Sequence, residues 1–228
     1  MPLRHIAIIP ARKGSKGLPG KNRMFFDNTA DFLDDLDWIE KVIVSTDDEE
    51  IAKMAISRNY TVHNRRPELA DDEASIRSVF ISISKEMKLG ADDRMWLFYL
   101  PVLFKEKQDF DDAFKIVDVH DCQNLCGFVE MEDGSHPFYT WRHDEDNSTM
   151  LQYVPNDIAR RQDLPKAFTH HHYMFCISPT ALSLVNNEMI GPKTKPFFIP
   201  KSTCEKLVEV DTPEQLKKWQ SMNEETNS

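Results

Sequence analysis

The sequence is poor in cysteine and lacks a long apolar run. Four of its 228 residues are cysteines. The close pair, Cys122 and Cys126, has no second pair at zinc-ribbon spacing, so we expect buried free thiols rather than a disulfide scaffold or a zinc site. No apolar stretch approaches the ~20 residues that cross a bilayer, and the first residues lack signal-peptide features. These absences predict a cytoplasmic protein with no membrane partner.

Positive charge is also scarce. The chain has 28 Lys and Arg against 38 Asp and Glu, which gives a formal net charge of −10. Nucleic acid is held by pooled Lys and Arg, so this balance predicts no nucleic-acid partner. Any anion that the protein binds must meet a local basic cluster.

Short apolar runs alternate with helical patterns along the chain. Strands are predicted at residues 6–9, 42–44, 95–100, 125–129, 174–177, 197–199 and 207–210. Helices are predicted after a Thr46–Glu49 capping box, at 75–87, at 110–117, and from Thr212 with Pro213 and Gln215. This alternation predicts an α/β fold, with a mostly parallel sheet sandwiched by helices in a single domain over residues 1–228. Ligands of such folds bind beyond the carboxyl ends of the strands.

Residues 130–166 break this alternation, because they are polar and include three consecutive acidic residues at 144–146. Two interpretations are open. The segment is either a protruding hairpin arm or an ordinary long surface loop.

A basic, glycine-rich loop follows the first predicted strand. Residues 12–22 contain four cations and three glycines. Glycines let backbone N–H groups approach a phosphate, and cations neutralise it, so the loop predicts a triphosphate cradle. The spacing fits neither the Walker A motif nor G-x-G-x-x-G, which argues against a P-loop ATPase or GTPase.

Six blocks of sequence carry a resemblance to a known family. They are IIPARKGSKGLPGKN at 8–22, VIVSTD at 42–47, RPELA at 66–70, HP at 136–137, RRQDLP at 160–165 and VEVDTPE at 208–214. In this order they resemble the acylneuraminate cytidylyltransferases, the CMP-sialic acid synthetases. The resemblance spans nearly the whole chain and implies a Rossmann-like nucleotidyltransferase fold.

The resemblance also implies which residues bind the nucleotide and the metal. The implied nucleotide-binding residues are Ala11, Arg12, Gly14, Ser15, Lys16, Lys21, Asn22, Arg66 and Ser75. Arg12, Lys21 and Asp211 are the implied catalytic residues, and Asp211 with Glu209 is expected to hold Mg²⁺ through hard oxygen ligands. The alternatives are a surface cation for Arg66, a helix-start serine for Ser75, and a metal-free helix cap for Asp211.

The implied reaction moves CMP from CTP to the anomeric hydroxyl of a 2-keto sugar acid, sialic acid or a related nonulosonic acid, and releases pyrophosphate. The implied substrate-binding residues are Tyr99, Arg160, Arg161, Gln162, Lys166 and His171. A homodimer is expected, in which the arm at 130–166 reaches the partner's site. The alternatives are nucleotide binding without turnover, a different sugar acid such as Kdo and, for Arg160 and Arg161, a pair of interface arginines.

Three segments depart from the family's pattern. Residues 98–105 are apolar, whereas the family has a polar segment at this position in the sugar site. This difference favours either a different sugar or a sugar that is bound by residues outside this segment. The stretch between Asn22 and Val42 is short, and residues 29–36 leave little room for a helix. Residues 170–172 are three histidines, which cannot all face one metal from a strand. We expect a role in an altered sugar pocket, and the alternative is a partly exposed polar strand edge.

Overall fold

The computed structural model describes residues 2–71 and 73–226. Within them a seven-stranded sheet forms the centre of the fold, and a two-stranded hairpin stands apart from it. The strands are β1 (Arg4–Pro10), β2 (Lys41–Thr46), β3 (Thr61–Asn64), β4 (Asp93–Leu97), β5 (Asn124–Glu130), β6 (Trp141–Asp144), β7 (Thr149–Gln152), β8 (Phe168–Ile177) and β9 (Lys195–Phe198).

The large sheet has the strand order β3-β2-β1-β4-β8-β5-β9. Neighbouring strands are parallel except at β8, which runs antiparallel to both β4 and β5. The predicted mostly parallel sheet is therefore confirmed. The order of the chain reverses at β1, whose neighbours are β2 on one side and β4 on the other. A crevice beyond the carboxyl ends of β1 and β4 is the expected ligand site of such a sheet.

Helices cover both faces of the sheet. They are α1 (Lys21–Asp34), α2 (Glu49–Ser57), α3 (Pro67–Ala70), α4 (Ile76–Glu86), α5 (Lys107–Val117), α6 (Lys201–Cys204) and α7 (Pro213–Thr226). Ala7 and Ile9 of β1 face the core shared with α1, α2 and α5, whereas Ile6 and Ile8 face the core shared with α4. Burial on both faces explains why β1 is a continuous apolar run.

The expectation of little room for a helix between Asn22 and Val42 is wrong. Helix α1 is 14 residues long and begins at Lys21, inside the basic loop motif, so it uses residues that the sequence pattern assigned to the loop. Its buried face includes Phe25, Phe26 and Leu33, which pack on the sheet.

Two local predictions are also wrong. Residues 207–210 form no strand; the segment is extended with a single antiparallel bridge between Val102 and Glu209, and Val208 and Val210 are apolar because they are buried in the core. Helix α2 is capped by Asp48, whose side chain accepts from the Glu50 N–H, while the Thr46 hydroxyl donates to the Ala11 carbonyl.

The segment 130–166 contains the β6–β7 hairpin, as the arm interpretation predicts. Its exposed side chains include Trp141, Met150 and Tyr153. Its predicted role in dimerisation stays a prediction.

The four cysteines are free thiols, and Cys122, Cys126 and Cys176 are buried. Burial raises the pKa of Cys126 to about 12, which makes its thiol unreactive at neutral pH. Among residues 2–71 and 73–226, every helix is too short or too polar to span a bilayer.

We predict that the capping box of α7 stabilises the segment that carries Asp211. The Gln215 Oε1 accepts from the Asp211 and Thr212 N–H groups at 2.8 and 2.9 Å, and Thr212 Oγ1 accepts from the Gln215 N–H at 3.3 Å. Gln215→Ala should lower the free energy of unfolding by about 1–2 kcal/mol in urea denaturation. Gln215→Glu keeps an acceptor oxygen and should lose much less; equal losses in both variants would contradict this assignment.

Candidate functional site

The basic loop is attached at its base to the end of β2. The Ala11 N–H donates to the Ser45 carbonyl at 2.9 Å, and the Ala11 carbonyl accepts from the Thr46 hydroxyl at 2.6 Å. The Lys13 N–H donates to Asp47 Oδ1 at 2.7 Å. Ala11 is fully buried and does not line the cleft. It therefore fixes the base of the loop in the core and is not placed to contact a ligand.

The far end of the loop runs directly into helix α1. Gly20 is the N-cap residue with φ of 75°, a left-handed conformation that glycine adopts without steric cost. The Asn22 side chain donates back to the Arg12 carbonyl at 2.9 Å, which closes the loop on itself. The positive dipole end of a 14-residue helix therefore adjoins the loop cations, an arrangement suited to phosphate.

The middle of the loop, at Gly17, packs closely against the backbone of Asp211. A Cβ placed on Gly17 would lie 2.3 Å from the Asp211 carbonyl oxygen, which is backbone and cannot swing aside. Only glycine permits this approach. The Lys21 ammonium also pairs with the Asp211 carboxylate, so the first and last functional segments of the chain meet here.

A cleft of about 220 Å³ opens between the loop and the carboxyl ends of β1 and β4, at the expected switch point. Five predicted site residues line it: Arg12, Ser15, Lys21, Asn22 and Tyr99. The remaining lining residues are Pro10, Arg65, Asp71, Ala74, Ile76 and Pro101.

Arg65 is the cleft cation that the sequence prediction missed in favour of its neighbour Arg66. Arg65 is 8% exposed and lines the cleft, and its Nε donates to the Leu69 carbonyl at 2.7 Å. Arg66 is outside the cleft and pairs on the surface with Glu86 at 2.8 Å. Its alternative interpretation as a surface cation fits this position.

Electrostatics mark Arg65 as a group that gains from a bound anion. Burial lowers the pKa of Arg65, the Asp47 carboxylate opposes that shift, and the Arg12 guanidinium adds to it. Arginine stays charged in proteins, so two guanidinium groups near one small cleft repel each other until an anion joins them.

Three other predicted nucleotide residues lie around the cleft rather than in its lining. Ser75 caps α4, where its hydroxyl accepts from the Ser78 N–H at 3.2 Å, which fits the alternative of a helix-start serine. Gly14 lines a recess of about 20 Å³ next to the cleft, and Lys16 is exposed on the loop.

The two predicted metal ligands face different partners. Asp211 is half-exposed and paired with Lys21, whereas the Glu209 carboxylate lies 3.8 Å from His172 Nδ1. The His172 imidazole lowers the pKa of Glu209 although burial opposes this, and Glu209 raises the pKa of His172. Glu209 is therefore ionised at neutral pH and turned toward the histidines.

Tyr99 connects the cleft with the histidine strand, because its ring centroid lies 5.2 Å from that of His172. Burial raises the pKa of Tyr99, and the Glu209 and Asp211 carboxylates add to the increase, so the phenol remains a hydrogen-bond donor at neutral pH. The predicted substrate residue His171 faces elsewhere: its Nδ1 accepts from the Tyr173 N–H at 3.0 Å, and burial lowers its pKa.

The apolar segment 98–105 turns inward. Phe98, Leu100, Val102 and Leu103 are buried, and burial lowers the pKa of Lys105 to about 7. Of this segment, Tyr99 and Pro101 line the cleft. The segment therefore contributes core packing and one phenol where the family has a polar sugar site.

The predicted substrate residues of the arm do not line this chain's cleft. Arg160 pairs with Asp163 at 2.7 Å, Lys166 pairs with Glu130 at 3.0 Å, and Arg161 and Gln162 are exposed. Their role in a partner's site stays a prediction.

The sequence is similar to those of several known proteins. The family described as Cytidylyltransferase matches residues 6–88, which contain the basic loop, β2 and Arg65. The chain is 28% identical over 212 residues to the N-acylneuraminate cytidylyltransferase of Streptococcus agalactiae serotype V, which is 88% of this chain and 47% of that protein. It is 38% identical over 94 residues, 36% of the chain, to N-acylneuraminate cytidylyltransferase A of Danio rerio and covers 21% of it. The resemblance to this family is confirmed, and the chain spans about half the length of the streptococcal relative.

Solved structures share the fold. A CMP:2-keto-3-deoxy-manno-octonic acid synthetase complexed with CTP superposes with a TM-score of 0.64 at 14% identity and covers 98% of this chain and 99% of that one. The 4-diphosphocytidyl-2C-methyl-D-erythritol synthase of Anaerococcus prevotii gives 0.63 at 13% identity, with 97% and 99% covered. At such identities the likeness shows the fold alone, and it confirms the predicted α/β class.

We predict that Arg65, and not Arg66, holds phosphate. Arg65→Met keeps the apolar stem but removes a buried cation from the cleft, so affinity for inorganic tripolyphosphate should fall about 10- to 100-fold in calorimetry. Arg66→Met changes the adjacent residue identically and should bind within about twofold of wild type. Equal losses in the two variants, with both folded by thermal unfolding, would contradict the prediction.

Proposed function

We propose that this relative of the N-acylneuraminate cytidylyltransferases is a nucleotidyltransferase that moves CMP from CTP to a 2-keto sugar acid and releases pyrophosphate. The relatives called N-acylneuraminate cytidylyltransferase and the structural neighbour solved with CTP support the choice of nucleotide and acceptor class. The acceptor that we propose is sialic acid or a related nonulosonic acid.

One observation carries the proposal. The cleft at the β1–β4 switch point gathers Arg12, Lys21 and Arg65 with the start of helix α1, and Lys21 connects it to Asp211. A chain whose net charge is −10 has thus concentrated cations at the place where parallel α/β sheets bind nucleotides.

The residues of the cleft would act by positioning and charge neutralisation. The acceptor hydroxyl attacks the α-phosphorus of CTP, and the bond from that phosphorus to the oxygen that bridges to the β-phosphate breaks. Pyrophosphate departs, and the hydroxyl proton passes to water. Arg12, Lys21 and Arg65 offset the negative charge on the phosphates, and the α1 N–H groups donate to them. The protonated Tyr99 phenol is placed to donate a hydrogen bond at the end of β4.

Asp211 fits a magnesium ligand. Its carboxylate is partly exposed, offers hard oxygen atoms and lies beside a lysine that lines the phosphate cleft. Magnesium at such a position neutralises phosphate charge and lowers the pKa of a bound hydroxyl. Glu209 faces His172, and its role as a second magnesium ligand stays a prediction.

Assembly and location belong to the same proposal. The exposed apolar side chains of the β6–β7 arm, together with Arg160 and Arg161, fit an arm that completes a partner's acceptor site in a homodimer. We place the protein in the cytoplasm, where CTP is available.

The test is pyrophosphate release with CTP, Mg²⁺ and a panel of 2-keto sugar acids. Wild type should release pyrophosphate with one acid, and with CTP rather than ATP or GTP. Asp211→Asn should lower the rate about 100-fold or more while CTP still binds. Asp112→Asn, which removes an equivalent exposed partner of Lys115 on α5, should keep wild-type activity.

Two results would overturn the proposal. CTP binding without release with any acid would assign the chain to nucleotide binding without turnover. Release with ATP or GTP but not with CTP would contradict the cytidylyltransferase assignment.

A further inference from the structure

Two of the three consecutive histidines share one acidic neighbour. His170 and His172 lie on β8, and their Nε2 atoms are 3.5 and 4.0 Å from the same oxygen, Oε2 of Glu188. Neither distance is that of a good hydrogen bond. One donor atom from each of the three residues lies within 4.8 Å of the donor atoms of the other two.

These separations bring three metal-binding side chains close enough to converge on one cation after small side-chain movements. Zinc bonded to imidazole nitrogen and carboxylate oxygen at about 2.0–2.1 Å sets tetrahedral donors about 3.3 Å apart. Two imidazoles and one carboxylate are also the donor set that divalent d-block cations such as Zn²⁺ prefer, whereas Mg²⁺ prefers oxygen alone. His171, between the two, points away, as alternation along a strand requires.

The Glu188 carboxylate lies on a turn that is held by hydrogen bonds. Met189, next to Glu188, is buried and has φ of 58°, which is uncommon for a residue with a side chain. Its carbonyl accepts from the Asn124 side chain at 2.9 Å, and its N–H donates to the Asn186 carbonyl at 3.0 Å. Strain that the surroundings hold in place is characteristic of functional turns.

A second carboxylate supports the same interpretation. Glu209 lies 3.8 Å from His172 Nδ1, on the ring nitrogen opposite the one that faces Glu188. Metal-binding histidines usually donate their other ring N–H to a carboxylate, which fixes the tautomer and raises ligand basicity. At 3.8 Å Glu209 is within ion-pair distance of that nitrogen, and it would orient His172 in this way once it moved to hydrogen-bond distance.

We infer that His170, His172 and Glu188 form a binding site for one divalent d-block cation of the Zn²⁺ type, next to Tyr99 and the cleft. Three protein ligands leave a coordination position open for water or an anionic oxygen. The site is distinct from Asp211, and the inference does not depend on the proposed reaction.

The test is calorimetric titration of the EDTA-treated full chain with ZnCl₂ in the absence of nucleotide. One Zn²⁺ should bind per chain, and Mg²⁺ should not compete for the site. His170→Gln and His172→Gln should each weaken Zn²⁺ binding by about tenfold or more. His120→Gln alters an exposed histidine near a lone carboxylate, Asp92, and should bind as wild type does.

Two further variants keep the test decisive. Glu188 is exposed, so Glu188→Gln should fold normally and still lose Zn²⁺ affinity, even if replacement of His172 disturbs its packing on Tyr99. Asp211→Asn should retain Zn²⁺ binding. The inference is overturned by the absence of stoichiometric Zn²⁺ binding, by unchanged affinity in the Glu188 and His170 variants, or by loss of binding in Asp211→Asn alone.

Discussion

The close approach of Gly17 to the Asp211 backbone is the constraint on which the site depends. It joins a loop that follows the first strand to a segment near the last helix, across nearly the whole sequence. The buried core, which includes Ile9 and Ala11 on one side and Val208 and Val210 on the other, sets where each segment emerges, and the absence of a side chain at Gly17 lets them meet. With the two segments in contact, Lys21, which lines the cleft, pairs with Asp211 and so connects the proposed metal ligand with the cleft.

The strand order of the sheet determines where the cleft and the histidine cluster lie. The reversal of strand order at β1 opens a crevice at the ends of β1 and β4, and β8, being antiparallel, brings its first residues to that same edge. The cations proposed to bind phosphate line the cleft together with Tyr99, and the Tyr99 ring also lies against His172 of the histidine cluster. Although the net charge of the chain is −10, the lining of the cleft includes Arg12, Lys21 and Arg65, and such a local concentration of cations is what the proposed binding of a polyanion requires.

The sequence predicted those features that depend on uninterrupted patterns. β1 and β2 were identifiable as buried apolar runs, and the basic loop by its composition. β3 was missed because it is a short edge strand that ends in His63 and Asn64. The sequence does not show how the chain leaves β3, and so it could not distinguish Arg65 from Arg66 as the residue that lines the cleft. Residues 207–210 were predicted as a strand because buried positions are apolar whether or not the backbone pairs with a neighbouring strand.

The most direct test of the central constraint is CTP affinity in Gly17→Ala, measured by calorimetry beside Gly90→Ala, where an added Cβ meets open space. The added methyl must displace either the loop or the Asp211 backbone, so we expect CTP affinity to fall about tenfold or more while the sheet still unfolds cooperatively. Gly90→Ala should bind as wild type does. Unchanged CTP affinity in Gly17→Ala would contradict the account, because the loop and Asp211 would then not need to meet for the nucleotide to bind.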